Sequence, residues 1–498
     1  MNLIPDTIPE TGDYYCTWAA QARVRPAEIP DDALSVRDNM NEEMLFRENG
    51  LLGSYFDGVR EDIIALLDDG WDVPYGSANP QNAGRFGSLE LDTERFPSFK
   101  GDPTERLKAL SDRIKSLGYK GTGLWIACQR PFADGDPVEN VEESRRYWED
   151  RARLCHDAGI AYWKVDWGRM CGAADYREMM TDCVRKFAPG LAIEHMPTGI
   201  YPPFGKYVYR RESFNAGENE FNRRILGCSD YLRTYDVLGE FVNAITLNRV
   251  ALLLGSGLRA SERARGILNV EDSMYLGAGL GCSVGVMRHN RFTPGRERRD
   301  TPRYAEVVRA LKWHRIAPPF AVGGDFAISD ELLCDEFAFP PKEPDSWPFV
   351  AGKTMRFESP AAISRGCLLP EVEADVKPFA VASKNPNGAY SIALLCRTTG
   401  GKLLEYFPAK VRITGARADR PVGIFGKYKS LTIEFDRPVG QMRVMAQDLC
   451  RDAAEDITGA VSLSGRELTI GGEVLDRVCA EALRPGDDSA PGLVLKLI

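Results

Sequence analysis

Residues 143–170 read ESRRYWEDRARLCHDAGIAYWKVDWGRM, and they hold one complete unit of the fold. The first eighteen carry helical spacing and reach a stop at Gly159. In the ten that follow, Ala161, Tyr162, Trp163, Val165 and Trp167 suit a buried strand. The same pairing occurs on both sides. TERLKALSDRIKSLGYKG (104–121) has apolar residues at 107, 110, 114 and 117, with Gly118 in stop position, and GTGLWIAC (121–128) then reads as strand. Downstream, YREMMTDCVRKFAPG (176–190) predicts helix and LAIEHM (191–196) strand, while upstream EDIIALLDDGW (61–71) is a strand-like run ending in acids.

Helix–strand units joined by short connections predict a parallel sheet. Eight of them fill about 250 residues, the size of a (β/α)8 barrel. An open doubly wound sheet is the second choice, because no strand is followed by a Gly-rich phosphate loop. We therefore expect a TIM barrel over residues 1–318.

Beyond residue 320 the helical periodicity fades. YSIALLCRTT (390–399), KVRITG (410–415), SLTIEFD (430–436), MRVMAQDL (442–449), VSLSGRELTIGG (461–472) and GLVLKLI (492–498) are short β-rich runs punctuated by Pro and Gly. They predict a C-terminal antiparallel β-sandwich domain over 319–498, joined through WHRIAPPFAVGGD (313–325).

The 498 residues carry 63 basic and 72 acidic side chains, a net charge of −9 with no block of one sign. Nucleic acid or an anionic membrane would need a concentrated basic face, so neither is expected as partner. A self-associating homo-oligomer is compatible with this composition. MNLIPDTIPETGD at the start has neither the basic nor the apolar region of a signal peptide, and ALLL (251–254) is far short of the roughly 18 residues of a membrane span. The twelve cysteines are scattered singly, with no CxxC pair, which predicts reduced thiols and a cytoplasmic protein without a zinc site.

In such a barrel the chemistry gathers at the C-terminal ends of the strands. The polar residues there are Asp68 and Asp69, Trp125, Lys164 and Asp166, and Glu194 and His195. Farther on, GCSDYLRTYDVLGE (227–240) offers Asp230, Arg233, Asp236 and Glu240, and ILNVEDSMYLG (267–277) offers Glu271 and Asp272. Carboxylates accept from sugar hydroxyls and indoles stack on pyranose faces, so acids and tryptophans at one rim point to carbohydrate. Glycoside cleavage further needs two carboxyl groups flanking the scissile bond. Lys164 and Asp166 stand two apart, hence on one face of a strand, and a neighbouring cation favours the charged, attacking form of a carboxylate. The four histidines do not cluster as metal ligands, and no metal or organic cofactor is expected.

DDGW, then YWKVD, then CSDYLRTYD, in that order, resembles the clan D glycoside hydrolases, the α-galactosidase and α-N-acetylgalactosaminidase families 27 and 36. ERFPSFKGDPTERLKALSDRIKSLGYKGTGLWI (94–126) is similar to a segment of the same enzymes. The resemblance spans roughly residues 12–290 and implies a barrel followed by a β-sandwich. It implies a retaining exo-hydrolase of terminal α-galactosides acting on an oligosaccharide or glycoside, with Asp166 as nucleophile and Lys164 as a sugar-binding lysine. Asp68 and Asp69 would hold the galactose 4- and 6-hydroxyls, and Trp18 in YYCTW would lie on the sugar. Asp236 matches the acid/base and Arg233 the arginine before it. The spacing from Arg233 to Asp236 is three, where the family usually has four, so Asp230 stays open as a second candidate for the acid. NVEDSM (269–274) matches the family's pattern only loosely at Asp272. The strand ending in Glu194 and His195 lacks the family's usual wording, which leaves β-L-arabinopyranosides, α-N-acetylgalactosaminides and isomaltose as alternative substrates, and a non-catalytic sugar-binding barrel as the alternative class.

Overall fold

A computed structural model describes all residues except 24–32, 49, 54–55, 78–83, 134, 198–215, 235–240, 288–302, 340, 342–351, 400–401 and 482–484. Eight parallel strands close into a barrel: β1 Tyr14–Cys16, β2 Ile64–Leu67, β3 Gly121–Ile126, β4 Ile160–Val165, β5 Ala192–His195, β6 Tyr231–Arg233, β7 Ile267–Glu271 and β8 Ser283–Val286. Closure is direct, since Tyr14 of β1 registers with Ile64 on one side and Gly285 of β8 on the other.

Three short helices, α1 Trp18–Arg23, α2 Ala33–Asp38 and α3 Glu42–Phe46, lie between β1 and β2. The longer ones that follow are α4 Pro103–Ser116, α5 Val141–Asp157, α6 Ala174–Phe187, α7 Ala216–Cys228, α8 Val242–Gly255, α9 Met274–Leu280 and α10 Tyr304–Ile316. Local chemistry fixes their ends. Asp102 and Glu105 form a capping box around Pro103 at the start of α4, satisfying amides the first turn would leave unpaired. Gly159 adopts φ +68° directly after α5, where a side chain would be strained, and the chain enters β4 at once. Among the described residues no helix is long and apolar enough to cross a membrane.

Side chains alternate across each strand, so one set faces the helices and the other fills the barrel. Tyr15, Ala65, Leu67, Trp163, Val165, Ile193 and Leu232 join the large core under the helices. Tyr14, Cys16, Ile64, Leu66, Tyr162, Ala192, Tyr231 and Ile267 pack together inside. Lys164 and Glu194 follow Tyr162 and Ala192 by two residues and therefore also point inward.

After α10 the chain turns to β structure. An eight-stranded sheet has the order Glu455–Asp456, Val444–Asp448, Gly492–Leu497, Val422–Phe425, Tyr390–Leu395, Phe379–Lys384, Ala362–Arg365, Phe326–Ile328. It faces a five-stranded sheet that includes Ala409–Ala416, Tyr428–Phe435 and Glu467–Gly471, and Ile392, Ile424, Val411, Ile413, Leu431 and Ile470 fill the layer between them. Most pairings are antiparallel, as the short runs lead one to expect. Three are parallel: 362–365 with 379–384, 390–395 with 422–425, and 409–416 with 428–435. The opposite face of the larger sheet, with Phe379, Val381, Ala393, Phe425 and Val494, belongs to the same core as the barrel helices. Arg309 of α10 clamps Asp448 with two hydrogen bonds of 2.8 Å across this junction. Asn243 of α8 bridges the sandwich to the end of β7, donating to the Cys396 carbonyl at 2.9 Å and accepting from Ser273 Oγ at 2.5 Å.

Candidate active site

Asp166 follows β4 and is the most exposed of the ionisable groups gathered at this mouth, at 8%. The indole of Trp125 donates to its Oδ2 at 2.9 Å, and Arg233 Nη2 donates to its Oδ1 at 2.8 Å. Each carboxylate oxygen therefore has one fixed donor and a further lone pair. Trp125 and Arg233 are themselves buried, so both donors are fixed in place.

Lys164 is buried, and its partner is not the one its spacing suggests. Its Nζ donates to Asp68 Oδ2 at 2.9 Å and lies 3.6 Å from Glu271 Oε1. Burial works against the charged ammonium, but Asp68, Cys16 and Glu271 outweigh it and raise the lysine well above its ordinary value. The cation beside Asp166 is Arg233, which is likewise raised by Asp166, Glu271 and Glu194 against the penalty of burial. Lys164 points inward as its position in β4 requires, but inside the closed barrel its ammonium meets Asp68 after β2 and Glu271 of β7.

Asp69 is buried, and Arg37 of α2 donates to both of its oxygens, at 2.8 and 2.6 Å. Burial nevertheless pushes its carboxyl up to about 6. The Cys16 thiol donates to Asp68 Oδ2 at 3.0 Å. Glu194 is completely buried, accepts from the Tyr162 hydroxyl at 2.8 Å and lies 3.4 Å from Arg233 Nε. Burial pushes Glu194 up to about 8, with Arg233 pulling the other way. Trp18 opens α1 immediately after β1 and packs, half-buried, against the inner cluster. Asp272 follows β7 at φ +55° and accepts from the Met287 amide at 2.7 Å, linking the ends of β7 and β8.

The structure thus gathers Asp68, Asp69, Trp125, Lys164, Asp166, Glu194, Arg233 and Asp272 at or just below one end of the barrel, with Trp18 beside them. Two candidates fall elsewhere. Asp230 precedes β6 and sits at the opposite, N-terminal face, where it accepts from the Ile193 and Arg265 amides and pairs with Arg185 at 2.7 Å. It fastens strand starts and is no alternative acid. His195 is one residue past the inward-facing Glu194 and so faces α6, in contact with Arg177 Nη1 at 3.2 Å and Thr181 Oγ1 at 2.9 Å. Burial and the two neighbouring arginines drive it well below its ordinary value and keep it neutral. Asp236 and Glu240 lie outside the described residues; Asp236 comes two positions after Thr234, which follows β6.

Tyr14, Cys16, Tyr162 and Arg37 complete the arrangement without having been singled out in the sequence. The first three share the period-two inward positions of β1 and β4, a usable signal. Arg37 comes from the helical insertion between β1 and β2, where no periodicity points to it. Among the described residues no group of His, Cys, Asp and Glu is arranged to hold a metal ion.

No family model matches the chain, and no curated protein matches it in sequence. Solved structures do resemble it. A family-27 β-L-arabinopyranosidase from Geobacillus stearothermophilus is 12% identical at a TM-score of 0.43, over 98% of this chain and 96% of that one. A Bacteroides fragilis protein provisionally named as an α-galactosidase is 11% identical at 0.41, over 98% and 79%. An α-amylase from Geobacillus thermoleovorans, complexed with acarbose, is 10% identical at 0.42, over 98% and 99%. Such distant likenesses carry no functional conclusion, and the chemistry is read from this chain's own residues.

Proposed function

We propose that this chain is a retaining exo-glycoside hydrolase that releases a terminal α-linked galactose, or a sugar of the same configuration. The observation that carries the reading is the Asp166 carboxylate, just after β4 at the C-terminal mouth and held by Trp125 and Arg233. A nucleophilic carboxylate must be aimed, and one donor on each of its oxygens fixes its plane. The motif order resembling clan D enzymes supports the same role.

In this mechanism Asp166 attacks the anomeric carbon while Asp236 protonates the departing oxygen; Asp236 then deprotonates the water that releases the sugar. Retention requires the two carboxyl groups to stand about 5–5.5 Å apart. Asp68, supported by Lys164, and Asp69, supported by Arg37, supply acceptors for the sugar hydroxyls. Trp18 offers an apolar face at the rim.

The test is hydrolysis of a panel of nitrophenyl glycosides that includes α-galactoside, α-N-acetylgalactosaminide, β-L-arabinopyranoside and α-glucoside, with the first-formed anomer followed by NMR. Release of α-galactose from the α-galactoside supports the reading. Release of the β-anomer first would mean inversion, and the absence of turnover on every member would favour a binding barrel.

A further inference from the structure

Beneath the proposed site lies a second tier of charge that sugar binding does not require. Glu194 and Glu271 are completely buried, whereas Asp68 and Asp166 retain some exposure. Each cation spans one carboxylate of each tier. Lys164 Nζ is 2.9 Å from Asp68 and 3.6 Å from Glu271; Arg233 is 2.8 Å from Asp166 through Nη2 and 3.4 Å from Glu194 through Nε. Each inner carboxylate is held by a phenol from inside the barrel, Tyr14 on Glu271 and Tyr162 on Glu194, both at 2.8 Å. The two phenol rings meet edge to face at 5.5 Å and couple the halves.

Elsewhere the barrel is filled with Ile64, Leu66 and Ile267, so an apolar filling was open to these positions as well. Buried ion pairs add little net stability over apolar residues of equal volume, because desolvation offsets their attraction. What they do provide is a fixed position for each charge.

We propose that the Tyr162–Glu194 and Tyr14–Glu271 pairs are a positioning layer: Glu194 sets Arg233 against the nucleophile, Glu271 sets Lys164 against Asp68, and neither glutamate touches the sugar. The proposal rests on the glycosidase reading for the role of Asp166, and on the geometry alone for the layer itself. It departs from the expectation that Glu194, as a polar residue closing β5, faces the sugar. Glu194 is faced by Tyr162 and Lys164 from β4, Arg233 from β6, Glu271 from β7 and Tyr14 from β1. In that setting burial raises it to about 8. We therefore expect the wild-type pH–rate profile to rise through an inflection near pH 8 as Glu194 ionises and fixes Arg233.

Glu194→Gln keeps the shape and an acceptor for Tyr162 while removing the titration. Measured above pH 8, where Glu194 is ionised in the wild type, its kcat should fall by up to about a hundredfold as a misplaced nucleophile allows, with KM within about twofold and the inflection near pH 8 abolished. Tyr162→Phe, which removes only the phenol's hydrogen bond, should show a smaller loss of the same kind and stands in if Glu194→Gln does not fold. A rise in KM at unchanged kcat would make Glu194 a sugar contact and overturn the proposal, as would wild-type kinetics. If the wild-type protein cleaves no glycoside, the functional reading fails on its own. The layer is then judged from crystal structures: Arg233 leaving Asp166 in Glu194→Gln upholds it, and Arg233 staying at 2.8 Å refutes it.

Discussion

Arg233 reaches from β6 across β5 to donate to Asp166 at 2.8 Å, while Lys164, two residues before Asp166 in β4, gives its hydrogen bond to Asp68. The charge beside the proposed nucleophile therefore comes from another strand. Arg233→Lys should expose this. A lysine is a point charge on a flexible stem and cannot span Asp166 and Glu194 as the planar fork does. We expect kcat to fall by about a hundredfold, with the folded structure retained by circular dichroism. Unchanged turnover would mean that a charge anywhere near Asp166 is enough.

Arg37 and Asp69 form a buried bidentate pair. Removing the arginine leaves a carboxylate without its donors in a dry site, a loss of roughly 3–5 kcal/mol for pairs of this kind. Arg37→Ala should lower the denaturant midpoint accordingly at pH 8, and by less at pH 5, where Asp69, already raised to about 6, can take up a proton. A pH-independent loss would contradict this account.

His195 is a structural residue in this account. His195→Phe should lower stability by about 1–3 kcal/mol, because Arg177 and Thr181 each lose a buried partner. KM for the glycoside should not move. A KM increase of tenfold or more at normal stability would return His195 to the sugar pocket.

Asp72 is buried beside Asp69 and accepts from the Gly87 amide at 3.1 Å. Burial, with Asp69 adding to it, raises its carboxyl to about 7, against roughly 3.9 in an unfolded chain. A raised acid favours the folded state fully below its unfolded value, and that contribution is lost as the pH climbs through about 7. Asp72→Asn mimics the protonated form at every pH. It should match the wild type near pH 4 and exceed it at pH 8.5 by on the order of 1–4 kcal/mol. Urea unfolding at the two values measures the difference, and equal stability at pH 8.5 would rule the effect out.

Much of the architecture was legible because two periods alternate cleanly. The helix expected at 104–121 spans Pro103–Ser116, and the strand expected at 161–170 spans Ile160–Val165. The candidate site was legible where a polar residue interrupts an apolar strand near its end, as Lys164 and Glu194 do. Three features were not. Asp230 looked like a strand-end acid because the apolar run before it belongs to α7, and β6 begins only at Tyr231. His195 differs from Glu194 by one residue, and side-chain parity sends it to the other face. The exchange of partners between Lys164 and Arg233 depends on how inward side chains of next-but-one strands meet inside the barrel, a property of closure and stagger that no single strand encodes.

The central claim is that Asp166 forms a covalent bond to the sugar. Incubation with an α-galacto-configured cyclitol epoxide, followed by intact mass spectrometry and peptide mapping, tests it most directly. The account predicts one adduct per chain, on Asp166 in the peptide containing YWKVDW, blocked by prior saturation with galactose. An adduct on any other carboxylate, or none from an enzyme that turns over α-galactosides, would contradict it.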